Sequence, residues 1–242
     1  MHLVLDIGNT KIKGHLFQKG ICIASTALDS IDQLKNQYLK EERLLTHIVY
    51  ADVRGIITRQ QLQAIFPAQQ VNNVKHLTFP FQSLYKTPAT LGDDRIALVS
   101  AAVSKYPQQN CLIIDAGSCL TYDFITATGD YLGGAISPGL QMRFKSLQYF
   151  TGKLPLVEPK MPLALSGDST KTAINHGVMQ GIIYEIDGQI SAYQKKYPSL
   201  TVILTGGDAL HLSKSVKNTI FAEPNFLAEG LNDLLEYNKN EC

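Results

Sequence analysis

The chain has 242 residues, 45% of them hydrophobic and 18% charged, a globular composition that excludes disorder as its main state. Lys and Arg total 22 against 21 Asp and Glu, and a net charge of +1 offers no basic field for nucleic-acid backbones or anionic membranes. No apolar run approaches the roughly 18 residues of a membrane span, and the start Met1-His2-Leu3-Val4-Leu5-Asp6 lacks the features of a signal peptide, so a cytoplasmic protein is expected. Leu3 to Asp6 reads as a strand running into Asp6-Ile7-Gly8-Asn9-Thr10, and Ile12 to Phe17 as a second strand closed by the turn Lys19-Gly20. Apolar residues then recur at helical spacing over Ile31 to Leu45, Arg59 to Phe66 and Arg95 to Lys105, with a strand over His47 to Val53.

From Leu112 the opening pattern returns, 109 positions after Leu3: Leu112-Ile113-Ile114-Asp115-Ala116-Gly117-Ser118, then a strand over Leu120 to Ile125 and the turn Thr128-Gly129-Asp130. Leu132 to Gly139 is a strand flanked by breakers, Ser169 to Tyr193 is mainly helical, and Thr201 to Leu204 is a short buried strand before Thr205-Gly206-Gly207-Asp208. Helices over Leu210 to Val216 and Pro224 to Tyr237 complete the chain, the last with an apolar stripe of Phe226, Leu227, Leu231, Leu234 and Leu235. Strands alternating with helices indicate an α/β fold with mixed sheets. The repeat predicts two similar domains, 1–108 and 109–242, dividing near Tyr106 to Asn110, with a cleft between them. The Pro-rich stretch Leu154 to Pro162 reads as a surface excursion. Cys22, Cys111, Cys119 and Cys242 are scattered, with no His at metal spacing, and read as reduced thiols.

Three segments carry chemistry. In the first turn Gly8 lets a phosphate approach the backbone, Asn9 and Thr10 offer donors, Asp6 could hold a hydrated cation and Lys13 brings a positive charge. One Asp-x-Gly turn is an ordinary hairpin; a second copy at Asp115 to Ser118, placed equivalently, favours two phosphate-facing turns. Gly206 and Gly207, at a strand-to-helix turn, allow a flat ligand such as adenosine to lie against the backbone. In Leu91-Gly92-Asp93-Asp94-Arg95 adjacent aspartates point in different directions, so one of them is the functional member. A carboxylate there could accept the proton of an alcohol undergoing phosphorylation, or the pair could simply complement a helix dipole.

Taken together, these residues resemble the type III pantothenate kinases over essentially the whole chain. The matching motifs are Asp6 to Lys13, Tyr85-x-x-Pro88-x-x-Leu91-Gly92-x-Asp94-Arg95, Asp115-x-Gly117-Ser118, Gly133-Gly134-x-Ile136-x-Pro138-Gly139, Leu154-Pro155, Gly167-x-x-Thr170 and Thr205-Gly206-Gly207-Asp208. The resemblance implies two RNase H-like domains of the acetate kinase, Hsp70 and actin type, and transfer of the ATP γ-phosphoryl group to pantothenate, the first step towards coenzyme A. It implies that Asp94 is the proton acceptor, and that Tyr85, Gly92, Asp93, Asp94, Arg95 and Thr170 line the pantothenate site. ATP is implied at Asp6, Ile7, Gly8, Asn9, Thr10, Lys11, Ile12, Lys13, Ser118, Gly206 and Gly207. A potassium or ammonium ion is implied at Asp115, Mg²⁺ with the nucleotide, and a homodimer for which the Leu140 to Leu147 helix is a candidate interface, with Tyr149 and Phe150 after it packing in an interface or the core. The second turn departs from the family by having Ser118 for Thr, which keeps the hydroxyl, and Cys119 at a position often held by Ala. An exopolyphosphatase on the same fold would need an attacking water in place of an alcohol pocket, and a DNA-binding regulator would need the basic surface that this composition lacks.

Overall fold

The computed structural model describes residues 1–161 and 164–240, the side chain of Asn240 excepted. Pro162, at the end of the expected excursion, and the expected thiol Cys242 lie outside the described residues. In chain order the elements are β1 (His2–Ile7), β2 (Ile12–Gln18), β3 (Ile21–Leu28), α1 (Gln33–Tyr38), β4 (His47–Asp52), α2 (Arg59–Ile65), β5 (Gln70–Asn73), β6 (Gln82–Ser83) and α3 (Asp93–Lys105). There follow β7 (Asn110–Ala116), β8 (Cys119–Ile125), β9 (Asp130–Pro138), α4 (Leu140–Tyr149), α5 (Thr170–Lys196), β10 (Leu200–Thr205), α6 (Ala209–Ser213), β11 (Phe221–Ala222) and α7 (Phe226–Asn240). Among the described residues no helix is long and apolar enough to cross a membrane.

Two compact units result, one made of Met1–Gln108, Thr126–Leu132 and Asn225–Cys242, the other of Gln109–Ile125 and Gly133–Pro224. The chain first passes from one unit to the other between Gln108 and Gln109. The last helix, expected with the second half, is counted in the first unit. Its backbone lies on α3 there: a Cβ on Gly230 would come within 2.0 Å of Ala97 O.

In the first unit a five-stranded sheet runs β3-β2-β1-β4-β5, with β1 antiparallel to β2 and parallel to β4. Strand alternation sends Leu3, Leu5, Ile7, Ile48 and Tyr50 into one core with Leu34 and Tyr38 of α1 and Leu62 of α2. Val4 and Val49 point to the opposite face, where α3 and α7 pack. Burying one such side chain is worth about 1.5–3 kcal/mol, so this two-sided sheet is what fixes the ends of β1, β4 and β5. The hairpin turn at Lys19 and Gly20 has positive φ at both residues, and it leads into β3, an edge strand that the apolar patterning does not predict. The helix expected over Ile31 to Leu45 is shorter: α1 ends at Tyr38 and a 3₁₀ turn covers Glu42–Leu44, leaving Leu39 and Leu44 exposed.

The second sheet has the order β11-β10-β7-β8-β9-β6, β6 pairing with the start of β9 inside the first unit. Leu112, Ile114, Leu120, Tyr122, Phe124, Val202 and Leu204 pack on one face against α4, α5 and α6. Both units thus open with the expected antiparallel hairpin, β1–β2 and β7–β8.

Candidate active site

The first hairpin pairs Ile7 with Ile12 and Asp6 with Lys13, so the connecting loop is Gly8 to Lys11. Gly8 N–H donates to Lys11 O at 3.1 Å and closes it. Ile7 and Ile12 have their side chains in the core, leaving only their backbone to a ligand. Asn9, Thr10 and Lys13 are exposed, and Lys11 Nζ pairs with the exposed Asp29 at 3.1 Å. Asp6 and Lys13, as cross-strand partners, share a sheet face. Burial pushes the Asp6 carboxyl up to about 6, a rise that Lys13 opposes and the charge of Asp94 reinforces.

Asp94 comes from the first turn of α3. Gly92 occupies the N-cap without a side-chain cap, and the Asp94 carboxylate folds back to accept Arg95 N–H at 2.8 Å. A Cβ on Gly92 would lie 2.4 Å from Asp94 Oδ1, which explains the glycine: any side chain would displace that carboxylate. Burial raises the Asp94 carboxyl above the usual range, Arg95 opposes this through its N–H and its charge, and Asp93 adds to it. Asp93 itself points elsewhere. Its carboxylate accepts Asp52 N–H at 3.0 Å and Asn73 Nδ2 at 2.9 Å, and pairs with Lys75 Nζ at 3.2 Å. Arg95 is buried, its guanidinium 5.4 Å from the Tyr85 ring centroid and its Nη1 3.5 Å from the Tyr85 hydroxyl. Tyr85 in turn stacks on the buried Tyr131 at 6.1 Å. One unit therefore carries Asp6, Lys13, Tyr85, Gly92, Asp94 and Arg95.

The second hairpin is tighter. Gly117 N–H donates to Cys119 O at 3.0 Å, and the residue opposite Asp115 is Thr121. Ser118 is exposed at the tip. The turn is walled by two glycines from elsewhere in the unit. Gly206 has φ +96°, and a Cβ there would stand 2.3 Å from Asp115 Oδ1 and 2.5 Å from Ala116 O. Gly139 lies on the Gly117 and Ser118 carbonyls, with its own Cβ position at 2.3 and 2.5 Å. Asp208 N–H donates to Ala116 O at 3.0 Å, so the Gly206-Gly207 segment is tied directly to the second turn, while Gly207 faces open space. Thr121 Oγ1 is buried with no hydrogen-bond partner. Sequence reasoning did not single it out, although counting across the hairpin from Asp115 would have found it.

Thr170 is the exposed first residue of α5, whose N-cap Ser169 forms a reciprocal capping box with Thr172. Gly167 packs on the backbone of that helix, a Cβ there meeting Ala173 N at 2.2 Å. Beside it is a cavity of about 790 Å³ lined by Leu156, Lys160, Asp168, Lys171, Asn175 and His176 among others. Among the described residues no group of three or more His, Cys, Asp and Glu side chains is arranged to hold a metal ion.

The profile of a family described as type III pantothenate kinase matches residues 2–192. A type III pantothenate kinase of Christiangramia forsetii is 45% identical over 248 residues, covering 100% of both chains. One from Flavobacterium johnsoniae is 42% identical, covering 98% of each. Among solved structures, a conserved Baf family protein from Campylobacter jejuni, named for transcriptional activation, superposes with a TM-score of 0.68 at 24% identity over 98% of this chain and 99% of that one. An inorganic polyphosphate/ATP-glucomannokinase from an Arthrobacter strain gives 0.51 at 11% identity over 99% and 98%. These structural likenesses show the fold, that of the acetate kinase, Hsp70 and actin type.

Proposed function

Since the chain belongs to the type III pantothenate kinase family, we propose that Asp94 takes the proton of the pantothenate primary hydroxyl during phosphoryl transfer. The enzyme is an ATP-dependent kinase that makes 4′-phosphopantothenate, the first step of coenzyme A biosynthesis. The observation that carries the assignment is the Asp94 carboxylate itself, half-buried, raised in pKa, and seated over Gly92 beside Asp6. A raised pKa makes a carboxylate a better proton acceptor near neutral pH. In the step proposed, the hydroxyl oxygen bonds to the γ-phosphorus, the bond to the β-phosphate oxygen breaks, ADP leaves, and the hydroxyl proton passes to Asp94. Phosphoryl transfer asks mainly for positioning and charge neutralisation.

Arg95, held on Tyr85, supplies a fixed guanidinium for the carboxylate end of pantothenate, and the backbone of Gly92 to Arg95, Asp93 included, together with Thr170, completes the substrate contacts. Asp6 to Lys13 and Ser118 bind the phosphates of ATP, which arrives with Mg²⁺. Gly206 and Gly207 receive the adenosine. The Asp115 carboxylate and the orphaned Thr121 hydroxyl are oxygen donors of the kind that suits potassium or ammonium. Such an ion supplies positive charge to the phosphates. The enzyme acts in the cytoplasm as a homodimer, whose contact surface includes the exposed Tyr149 and Phe150 at the end of α4.

Asp94→Asn tests the reading. The amide keeps the shape but accepts no proton, so kcat is expected to fall about 10²- to 10⁴-fold with both KM values little changed. Product is followed as 4′-phosphopantothenate against free phosphate. Near-normal turnover in the variant, or free phosphate as the main product of the parent enzyme, would overturn it.

A further inference from the structure

The motif that contains the base, Gly92-x-Asp94-Arg95, leaves its second position open, yet here that position holds a carboxylate that is only 3% exposed. We propose that Asp93 is a positioning residue for the transfer: its buried carboxylate pins the first turn of α3 to the ends of β4 and β5, and so sets the direction in which Asp94 and Arg95 point. This rests on the reading of Asp94 as the base.

Three segments converge on Asp93. Asp52 N–H, at the last residue of β4, donates at 3.0 Å; Asn73 Nδ2, at the last residue of β5, donates at 2.9 Å; Lys75 Nζ lies 3.2 Å away. The two hydrogen-bond donors sit on segments that are themselves held. The Asp52 carboxylate accepts the N–H groups of Arg54, Gly55 and Ile57, all at 2.9 Å, and Asn73 Oδ1 accepts Lys75 N–H at 3.0 Å. The ends of β4 and β5 are therefore braced by hydrogen bonds of their own, apart from those to the helix. A buried carboxylate is retained only where such donors repay its desolvation. Gly92 gives the helix no side-chain cap, so the Asp93 contacts are what tether its first turn. Successive side chains on a helix are separated by about 100°, and fixing the azimuth of Asp93 fixes that of Asp94 and Arg95. Phosphoryl transfer is sensitive to this, because a misplacement of about 1 Å can cost about 10²-fold in rate.

The experiment compares Asp93→Ala, Asp93→Asn, Lys75→Met and the Asp93→Asn/Lys75→Met double variant, with Asp94→Asn measured alongside. Asp93→Ala is expected to lower kcat about 10- to 100-fold while the KM for ATP stays within about twofold. Asp93→Asn should recover part of that loss, because its amide oxygen still accepts from Asp52 N–H. Lys75→Met, which removes a partly exposed partner, should give a smaller loss of kcat that largely disappears in the Asp93→Asn background, since both act through one contact. A rise in the KM for pantothenate with unchanged kcat would make the Asp93 carboxylate, and not only its backbone, a substrate contact and overturn the proposal. Unchanged kinetics with a lowered Tm would make the contact purely structural, which also overturns it. Should Asp93→Ala not fold, Lys75→Met decides: lowered kcat supports the proposal, and unaltered kcat contradicts it. If Asp94→Asn keeps its turnover, the reading of the base fails by that result alone, whatever the Asp93 series shows.

Discussion

The two hairpin turns begin from the same strand pattern and reach different solutions. At the first, Asp6 faces Lys13 across the ladder, the loop has four residues, and a Cβ on Gly8 would meet only Lys11 O at 3.3 Å and Asp6 Oδ1 at 3.8 Å. At the second, Asp115 faces the neutral Thr121, the loop is shorter, and Gly139 and Gly206 press their backbones against it. The first turn thus carries its own cation on a covalent tether. The second sets its carboxylate across from a neutral hydroxyl that is buried without a hydrogen-bond partner, the place where the proposed potassium or ammonium ion would bring positive charge. Under the function proposed above, the two copies of one motif would divide the handling of phosphate charge between a side chain and an ion.

Substitutions at the glycines break this comparison most sharply. Gly139→Ala drives a Cβ into two carbonyl oxygens of the second turn, neither of which can yield without moving the turn, and is expected to cost about 3 kcal/mol or more together with ATP affinity. Denaturant unfolding measures the first, the KM for ATP the second; a near-silent variant would mean the wall is not tight.

A smaller effect of opposite sign is expected at Asp6. Burial raises its carboxyl from 3.8 to about 6, so the folded chain holds that proton more tightly than the unfolded chain does. The stability so gained is full below 3.8 and is lost as pH rises through about 6. Asp6→Asn, uncharged throughout, should therefore be more stable than the parent by about 1–3 kcal/mol above that range, while losing ATP-dependent turnover. Tm measured from pH 4 to pH 8 would show the gap opening with pH, and a gap independent of pH would remove burial as its cause. Smallest of all, Gly8→Ala should cost under about 1 kcal/mol of stability, since its nearest neighbours are Lys11 O at 3.3 Å and Asp6 Oδ1 at 3.8 Å, yet it should raise the KM for ATP if phosphate approaches that backbone.

Both hairpins were legible in the sequence because their strands are apolar runs bounded by Gly-containing turns, and α3, α5 and α7 because their apolar residues recur at helical spacing. What stayed hidden depends on partners distant in the chain. The edge strand β3 exposes Ile21 and Ile23, so it lacks the burial pattern that marks a strand. The placement of α7 follows from the close approach of Gly230 to Ala97, which periodicity does not reveal. At the site, adjacency of Asp93 and Asp94 showed that they must diverge but not which one turns inward; Asp52, Asn73 and Lys75 decide that, and nothing in their local sequence points to α3. Nor does the Tyr131 ring beneath Tyr85 announce itself before the sheet is formed.

The claim that one turn carries its cation and the other recruits it is tested most directly by the potassium dependence of the KM for ATP. The parent enzyme is expected to show a lower KM in potassium than in sodium at equal ionic strength. Asp115→Asn should raise that KM and abolish its response to potassium, whereas Lys13→Met should raise it and leave the response intact. Equal activity of the parent in sodium and potassium, or a full potassium response in Asp115→Asn, would contradict the account.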